Sequence, residues 1–236
     1  MKPSSDGQIV TPRPAATVLL VRDGPEGMQV FMVVRHHAID FASGALVFPG
    51  GKVEEGDLEI AGGDVEKASR VAAIRETFEE CGVLLAGPWV GTPVATKGAF
   101  AEILASRNLA PALDALTPFA HWITPPILAK RFDTRFYIVP APADQTAAHD
   151  GGEAVDSVWI EPKRALAEGA DGRRTLVLAT RLNLELLARS GSAADAVAAA
   201  ASRPVVTVEP IPTKTETGYR MTIPIEAGYG GPDFDV

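Results

Sequence analysis

Three glutamates, Glu76, Glu79 and Glu80, stand at i, i+3 and i+4 in one stretch, behind a Pro49-Gly50-Gly51 turn. On a helix this spacing keeps them within roughly 100° of one another. Like charges on one face repel, and a divalent cation bound among them removes the repulsion. Carboxylate and carbonyl oxygens suit hard ions such as Mg²⁺ or Mn²⁺, which usually also take oxygens from a substrate's phosphates. A solvated acidic face has the same pattern, and the cluster alone does not choose between the two. The glycine turn in front of it favours a site.

The elements that must hold these residues are legible. Asp64, after Gly62-Gly63, sits where a helix N-cap belongs, and Gly82 where a helix stops. Val71, Ile74, Phe78 and Cys81 recur at spacings of three and four, which predicts a buried stripe. The polar, glycine-containing linker between turn and helix reads as a loop. Cys81 is the single cysteine, so no internal disulfide forms, and its place on the stripe points to packing.

Residues 15–21 and 28–34 read as two antiparallel strands around a turn-rich hexapeptide. Residues 99–119 show helix-like spacing broken at Pro111 and are expected to be a helical insertion at about 98–120. Strands are expected at 133–139 and 153–160, then helices at 161–167, 175–189 and 192–202. Prolines mark residues 205–212 and 219–225 as edge strands. The expected organisation is a loose lead-in over 1–13, a domain over 14–203 and a C-terminal arm over 204–236. Lying beyond an apparently complete domain, the arm is a candidate for crossing to a second subunit in a homodimer.

Composition narrows the function classes. The chain has 236 residues, 46% hydrophobic, and a net charge of −8. This argues against a general nucleic-acid surface, which needs clustered Lys and Arg. It does not exclude a small anionic substrate, because a metal ion and a few arginines reverse the local field. No apolar run approaches a membrane span and the first residues lack an apolar signal core, so a soluble, cytoplasmic, non-membrane protein is expected.

Gly51, Asp57 and the segment RETFEECGV (75–83) together resemble the box of the Nudix hydrolases. Gly51, Arg75, Glu76, Glu79, Glu80, Gly82 and Val83 fit its pattern. Asp57 stands where glutamate is usual and Thr77 where a hydrophobic residue is usual, and about ten extra residues separate Asp57 from Arg75. The resemblance implies an α+β fold, an α/β/α sandwich with a mixed central sheet. It also implies hydrolysis of a phosphoanhydride in a small-molecule diphosphate by water attack on phosphorus, with Mg²⁺ or Mn²⁺. Glu76, Glu79 and Glu80 are then the metal ligands, assisted by the Gly50 carbonyl, and Glu76 is the alternative general base. Glu153 is the candidate for a further carboxylate, with Asp150 second, and a solvated loop acid is the other reading of both. Arg75 joins the catalytic set, best read as the ion-pair partner that holds the helix to the loop through Asp57.

The lengthened box is similar to that of the coenzyme A diphosphatase branch, which includes peroxisomal members. Arg35 and Gly44 match a signature that precedes FPGG in that branch, with Asp40 in place of its second arginine. The phrase WITPP followed by KRFDTRFY is similar to the same branch. Arg35, Gly51, Arg131 and Arg135 are the expected substrate contacts, the alternative for Arg131 being a surface ion pair. Coenzyme A or an acyl-coenzyme A is the expected substrate. ADP-ribose, a nucleotide sugar or a dinucleotide are alternatives, as is a non-catalytic ligand-binding regulator.

Overall fold

The computed structural model describes residues 10–35, 44–87, 100–149 and 154–236. The chain begins with strands β1 (Arg13–Gly24), β2 (Gly27–Arg35), β3 (Leu46–Val47) and β4 (Gly50–Lys52), followed by helices α1 (Glu55–Ile60) and α2 (Val65–Cys81). Next come β5 (Ala86–Gly87), α3 (Phe100–Ser106), β6 (Ala110–Pro111), β7 (Thr117–Ile123), β8 (Phe132–Pro140) and β9 (Ala154–Ile160). Helices α4 (Pro162–Ala170), α5 (Leu178–Leu187) and α6 (Ala193–Ala201) lead into β10 (Thr207–Val208), β11 (Ile211–Lys214), β12 (Tyr219–Thr222) and β13 (Asp233–Asp235).

Among the described residues the central sheet is mixed and runs β10-β7-β8-β1-β2-β3, with β4 also on β1 and β9 also on β2. Strand β1 pairs parallel with β8 along its length and is buried on both faces, as its unbroken apolar run requires. Alternation sends Ala16, Val18 and Leu20 toward α2, where they pack with Val71, Ile74 and Phe78. Leu19 and Val21 point the other way, into a cluster with Ala165, Leu182, Leu187 and Ala196 from α4–α6. Helices therefore cover both faces. The result is an α/β/α sandwich around a mixed sheet, as the sequence implied.

Helix α2 begins and ends where its caps predict. The Asp64 side chain accepts a hydrogen bond from the Lys67 amide, and Gly82 closes the helix in the left-handed conformation at φ 71°. Ala68, Ala72 and Ala73 are buried with the predicted stripe, so the helix lies close against the sheet. The stretch expected to be a loop contains α1 instead. Asp57 folds back to accept from the Glu54 amide at 2.8 Å and starts that turn. The extra residues of the box are thus used up by α1, a glycine turn and the first turns of α2.

Within residues 100–119 the α-helix is confined to α3, with one 3-10 turn at Leu113–Ala115. Asn108 takes a left-handed φ of 51° and ends the helix, and Ala110–Pro111 then pairs with β5. From Thr117 the chain is strand β7, antiparallel to β8, with Ala120 and Trp122 buried. At the other end, β10 joins β7 in parallel register, with Val208 opposite Trp122. The segment beyond residue 204 therefore contributes to the central sheet of its own chain. Among the described residues, no helix is long and apolar enough to cross a membrane.

Candidate active site

The sheet forks at β1. Its second half pairs with β2 at Val21–Gly24, while Ala15–Thr17 pair with β4. At this fork β4 lies against α2. Gly50 packs so tightly that a Cβ would collide with the Ala16 carbonyl and Thr17, and its amide donates to Glu80 Oε2 at 2.9 Å. Any side chain on Gly51 would strike the Glu76 carboxylate. Both glycines are required by close approach, one to backbone and the other to a carboxylate.

Arg75 ties the cluster together. Its Nε and Nη2 donate to the two oxygens of Asp57 at 2.9 and 3.0 Å, and Nη2 also reaches the Lys52 carbonyl at 2.9 Å. Nη1 donates to Glu76 Oε1 at 2.9 Å and Glu79 Oε2 at 2.8 Å. Burial opposes its charge. The Asp57 hydrogen bonds and the fields of Glu76, Asp57 and Glu79 outweigh that and hold its pKa above the ordinary arginine value. Asp57, fully buried, thus joins helix to loop through Arg75, as read from the sequence. Thr77 is also buried, and its hydroxyl donates to the Ala73 carbonyl at 2.7 Å, so a polar residue is tolerated where an apolar one is usual.

A cleft of about 1480 Å³ opens beside the fork. Arg35, Gly50, Gly51 and Glu76 line one end, and Leu176, Leu178, Tyr219, Met221 and Val236 lie along it. Among the described residues, the buried Arg35 Nε has no hydrogen-bond partner. Gly44 holds the turn after β2 with φ 67°, its amide bonded to the Arg35 carbonyl. Arg131 also borders the cleft, but its guanidinium is spent on the Thr124 and Val10 carbonyls and on Glu209. Arg135 does not line it. Odd-numbered residues of β8 face α2, and Arg135 pairs there with Glu66 at 3.7 Å. Asp40, Asp150 and Glu153 lie outside the described residues. Arg13, Lys52 and Lys130, which sequence reasoning did not single out, line the cleft too. Lys52 directly follows the glycine turn, whereas only strand register brings Arg13 and Lys130 near it.

Among the described residues, no three acidic, histidine or cysteine side chains converge as a ready cation cage. Yet Glu76 and Glu79 both converge on one guanidinium nitrogen, a cation held between two carboxylates. Glu80 stands on the adjoining Gly50 amide, and every donor is oxygen. This fits Mg²⁺ or Mn²⁺ in kind, since such ions often take only one or two carboxylates and complete their shell with water and phosphate.

Comparison with known proteins agrees with the geometry. A family model described as the NUDT19 Nudix domain matches residues 60–176. The chain is 30% identical over 174 residues to a putative nudix hydrolase 7 of Caenorhabditis elegans, covering 70% of this chain and 56% of that protein. It is 28% identical over 131 residues to the acyl-coenzyme A diphosphatase NUDT19 of Xenopus laevis, covering 44% and 34%. These matches thus span little more than half of one curated relative and a third of the other. A crystal structure of a Nudix hydrolase from Alicyclobacillus acidocaldarius superposes with a TM-score of 0.74 at 29% identity, over 81% of this chain and 97% of that one. The fold superposes on that of a Nudix hydrolase and the matched segment includes helix α2: the chain belongs to the Nudix hydrolase family, close to the NUDT19 branch.

Proposed function

We propose that the protein hydrolyses the phosphoanhydride bond of coenzyme A or an acyl-coenzyme A, by attack of water on phosphorus, using Mg²⁺ or Mn²⁺. The observation that carries this reading is the placing of Glu76 against Gly51 and of Glu80 on the Gly50 amide beside the cleft, with Glu79 tied to Glu76 through Arg75. Divalent cations, which Nudix hydrolases generally use, would neutralise phosphate oxygens and lower the pKa of the attacking water. Glu76, Glu79, Glu80 and the Gly50 carbonyl would hold them. Glu76, touching Gly51 and lining the cleft, is also placed to accept the water's proton.

The chain's own residues do the positioning. Arg75 fixes Glu76 and Glu79 relative to the β4 turn, so the carboxylates are ordered before substrate arrives. Arg35, with a donor buried beside the cleft and unmatched among the described residues, is assigned to a phosphate oxygen. The cleft exceeds the roughly 300–1,000 Å³ usual for small ligands, which suits a long substrate with an apolar portion. The assignment to coenzyme A also draws on the likeness to the Xenopus laevis diphosphatase.

The test is turnover of purified protein with Mg²⁺ or Mn²⁺ on coenzyme A, an acyl-coenzyme A, ADP-ribose, NADH and a UDP-sugar, with products identified by mass. Coenzyme A compounds are expected to be cleaved preferentially, to adenosine 3′,5′-bisphosphate and a phosphopantetheine. Glu79→Gln is expected to lower turnover at least about a hundredfold with an unchanged melting temperature. Preference for another diphosphate would replace the substrate and keep the mechanism. Absence of any turnover would favour a ligand-binding regulator.

A further inference from the structure

The cleft carries more positive charge than one diphosphate needs. Of its lining cations, Arg131 is held by Glu209 and two carbonyls, and Arg181 pairs with Glu185. Arg35 belongs to the fork. Arg13 and Lys52 are different. Both are exposed, both line the cleft, and neither makes a side-chain hydrogen bond or ion pair among the described residues. In a chain of net charge −8, an arginine and a lysine on one wall with no acid partner among the described residues call for a reason.

Register places them together. Lys52 lies opposite Ala15 and Gly50 opposite Thr17, so Lys52, Ala15 and Arg13 follow one another along the face that carries Gly50 and Thr17. Arg13 in turn lies opposite Phe132, two residues beyond Lys130. The floor between them is made of the small side chains Ala15 and Thr134, which leaves room for a ligand group above the sheet. At about 3.3 Å per residue, Lys52 stands ~7 Å from Gly50, and Arg13 ~13 Å from Thr17. The shorter of these spans is comparable with the separation between the 3′- and 5′-phosphates of one ribose. Glu54, two residues after Lys52, lines the cleft too, as do Glu76, Glu185 and Asp235.

We propose that Arg13 and Lys52, with Lys130 beside them, form a second anion subsite that takes a phosphate monoester carried by the same molecule as the diphosphate. The proposal rests on the diphosphatase reading, and for a coenzyme A compound the group is the 3′-phosphate of its ribose. The subsite is a charged grip on the sheet beside the glycine turn, made of side chains other than the carboxylates where the bond breaks. It therefore selects among diphosphates and leaves the chemical step to the fork.

Two measurements separate this subsite from the reading it rests on. In the first, metal-free protein is titrated calorimetrically with adenosine 3′,5′-bisphosphate and with 5′-AMP. The bisphosphate is expected to bind at least about tenfold more tightly, with the advantage falling as salt rises. The double variant Arg13→Ala/Lys52→Ala should bring the two affinities together, and Arg13→Lys/Lys52→Arg should keep most of the difference. In the second, kcat/KM is compared for coenzyme A and 3′-dephospho-coenzyme A. The wild-type ratio should be tenfold or more and should fall toward one in the alanine variant, mainly through KM. Equal affinities in the wild type, or an undiminished advantage in the alanine variant, would overturn the subsite. Hydrolysis of both coenzymes at equal kcat/KM would overturn it while leaving the diphosphatase standing. A bisphosphate preference without any hydrolysis would support the subsite and sink the diphosphatase.

Discussion

Asp57 and Arg75 meet across 18 positions of sequence, nearly excluded from water, and their pairing decides where the glutamates stand. A buried ion pair repays its desolvation only when its remaining hydrogen-bonding groups are matched, and here they are. Asp57 accepts from the Glu54 amide, and Arg75 donates to the Lys52 carbonyl, Glu76 and Glu79. Replacing Asp57 with asparagine removes the central charge and leaves a donor facing the guanidinium. The expected cost is about 3 kcal/mol of stability in urea unfolding, with a fall in kcat because Arg75 no longer holds its place. Unchanged stability in Asp57→Asn would show that the pair is not what joins the loop to the helix. This contact was readable because acid, arginine and glutamates share one stretch. The opposite fates of Arg131 and Arg135 were not, since one is consumed by Glu209, 78 positions away, and the other is turned aside by strand parity.

The β4 turn and α2 act as a unit, and their two glycines separate fold from activity. At Gly50 a methyl group would meet the Ala16 carbonyl and the Thr17 backbone, which cannot move without breaking the β1–β4 pairing. At Gly51 it would meet the end of the Glu76 side chain, which can swing away. Gly50→Ala is therefore expected to lower the melting temperature. Gly51→Ala should leave it nearly unchanged and reduce kcat by roughly tenfold to a hundredfold, through a displaced carboxylate. Thermal melts beside turnover at saturating substrate check both, and equal losses of stability would refute the distinction. Helix α2 was legible because its caps and stripe are local signals. Helix α1 was not, since its start depends on Asp57 folding back onto Glu54, in a segment whose polar residues and glycines read as loop. Strand β7 was hidden by a helical spacing that in fact belongs to α3 alone.

At the scale of the molecule, the chain beyond residue 204 is bound to the body by groups far apart in sequence. Tyr229 accepts from Trp122 Nε1 at 3.0 Å and donates to Asn183 Oδ1 at 2.7 Å, joining the tail to β7 and α5. Prolines and a place beyond a seemingly complete domain suggested a separate arm, and no local signal announces partners 107 and 46 positions away. Burial raises the Tyr229 pKa from its ordinary 10.0 to about 12, against the lowering effects of the Trp122 hydrogen bond and of Arg203. Below pH 10 the folded and unfolded chains both keep the phenolic proton, and the contribution to stability is complete. Between about pH 10 and 12 the unfolded chain loses the proton while the folded chain retains it, so stability falls as pH rises, by at most about 3 kcal/mol from this group. Tyr137, raised first by burial, adds in the same direction. Tyr229→Phe removes the titration but strands the Trp122 N–H and the Asn183 carbonyl, at about 1–3 kcal/mol for each buried group. Urea unfolding from pH 8 to 12 should therefore find the variant about 2–6 kcal/mol less stable at pH 8, with a shallower decline above pH 10 than the wild type. Parallel curves across that range would mean that the tail is not held by a buried, protonated Tyr229.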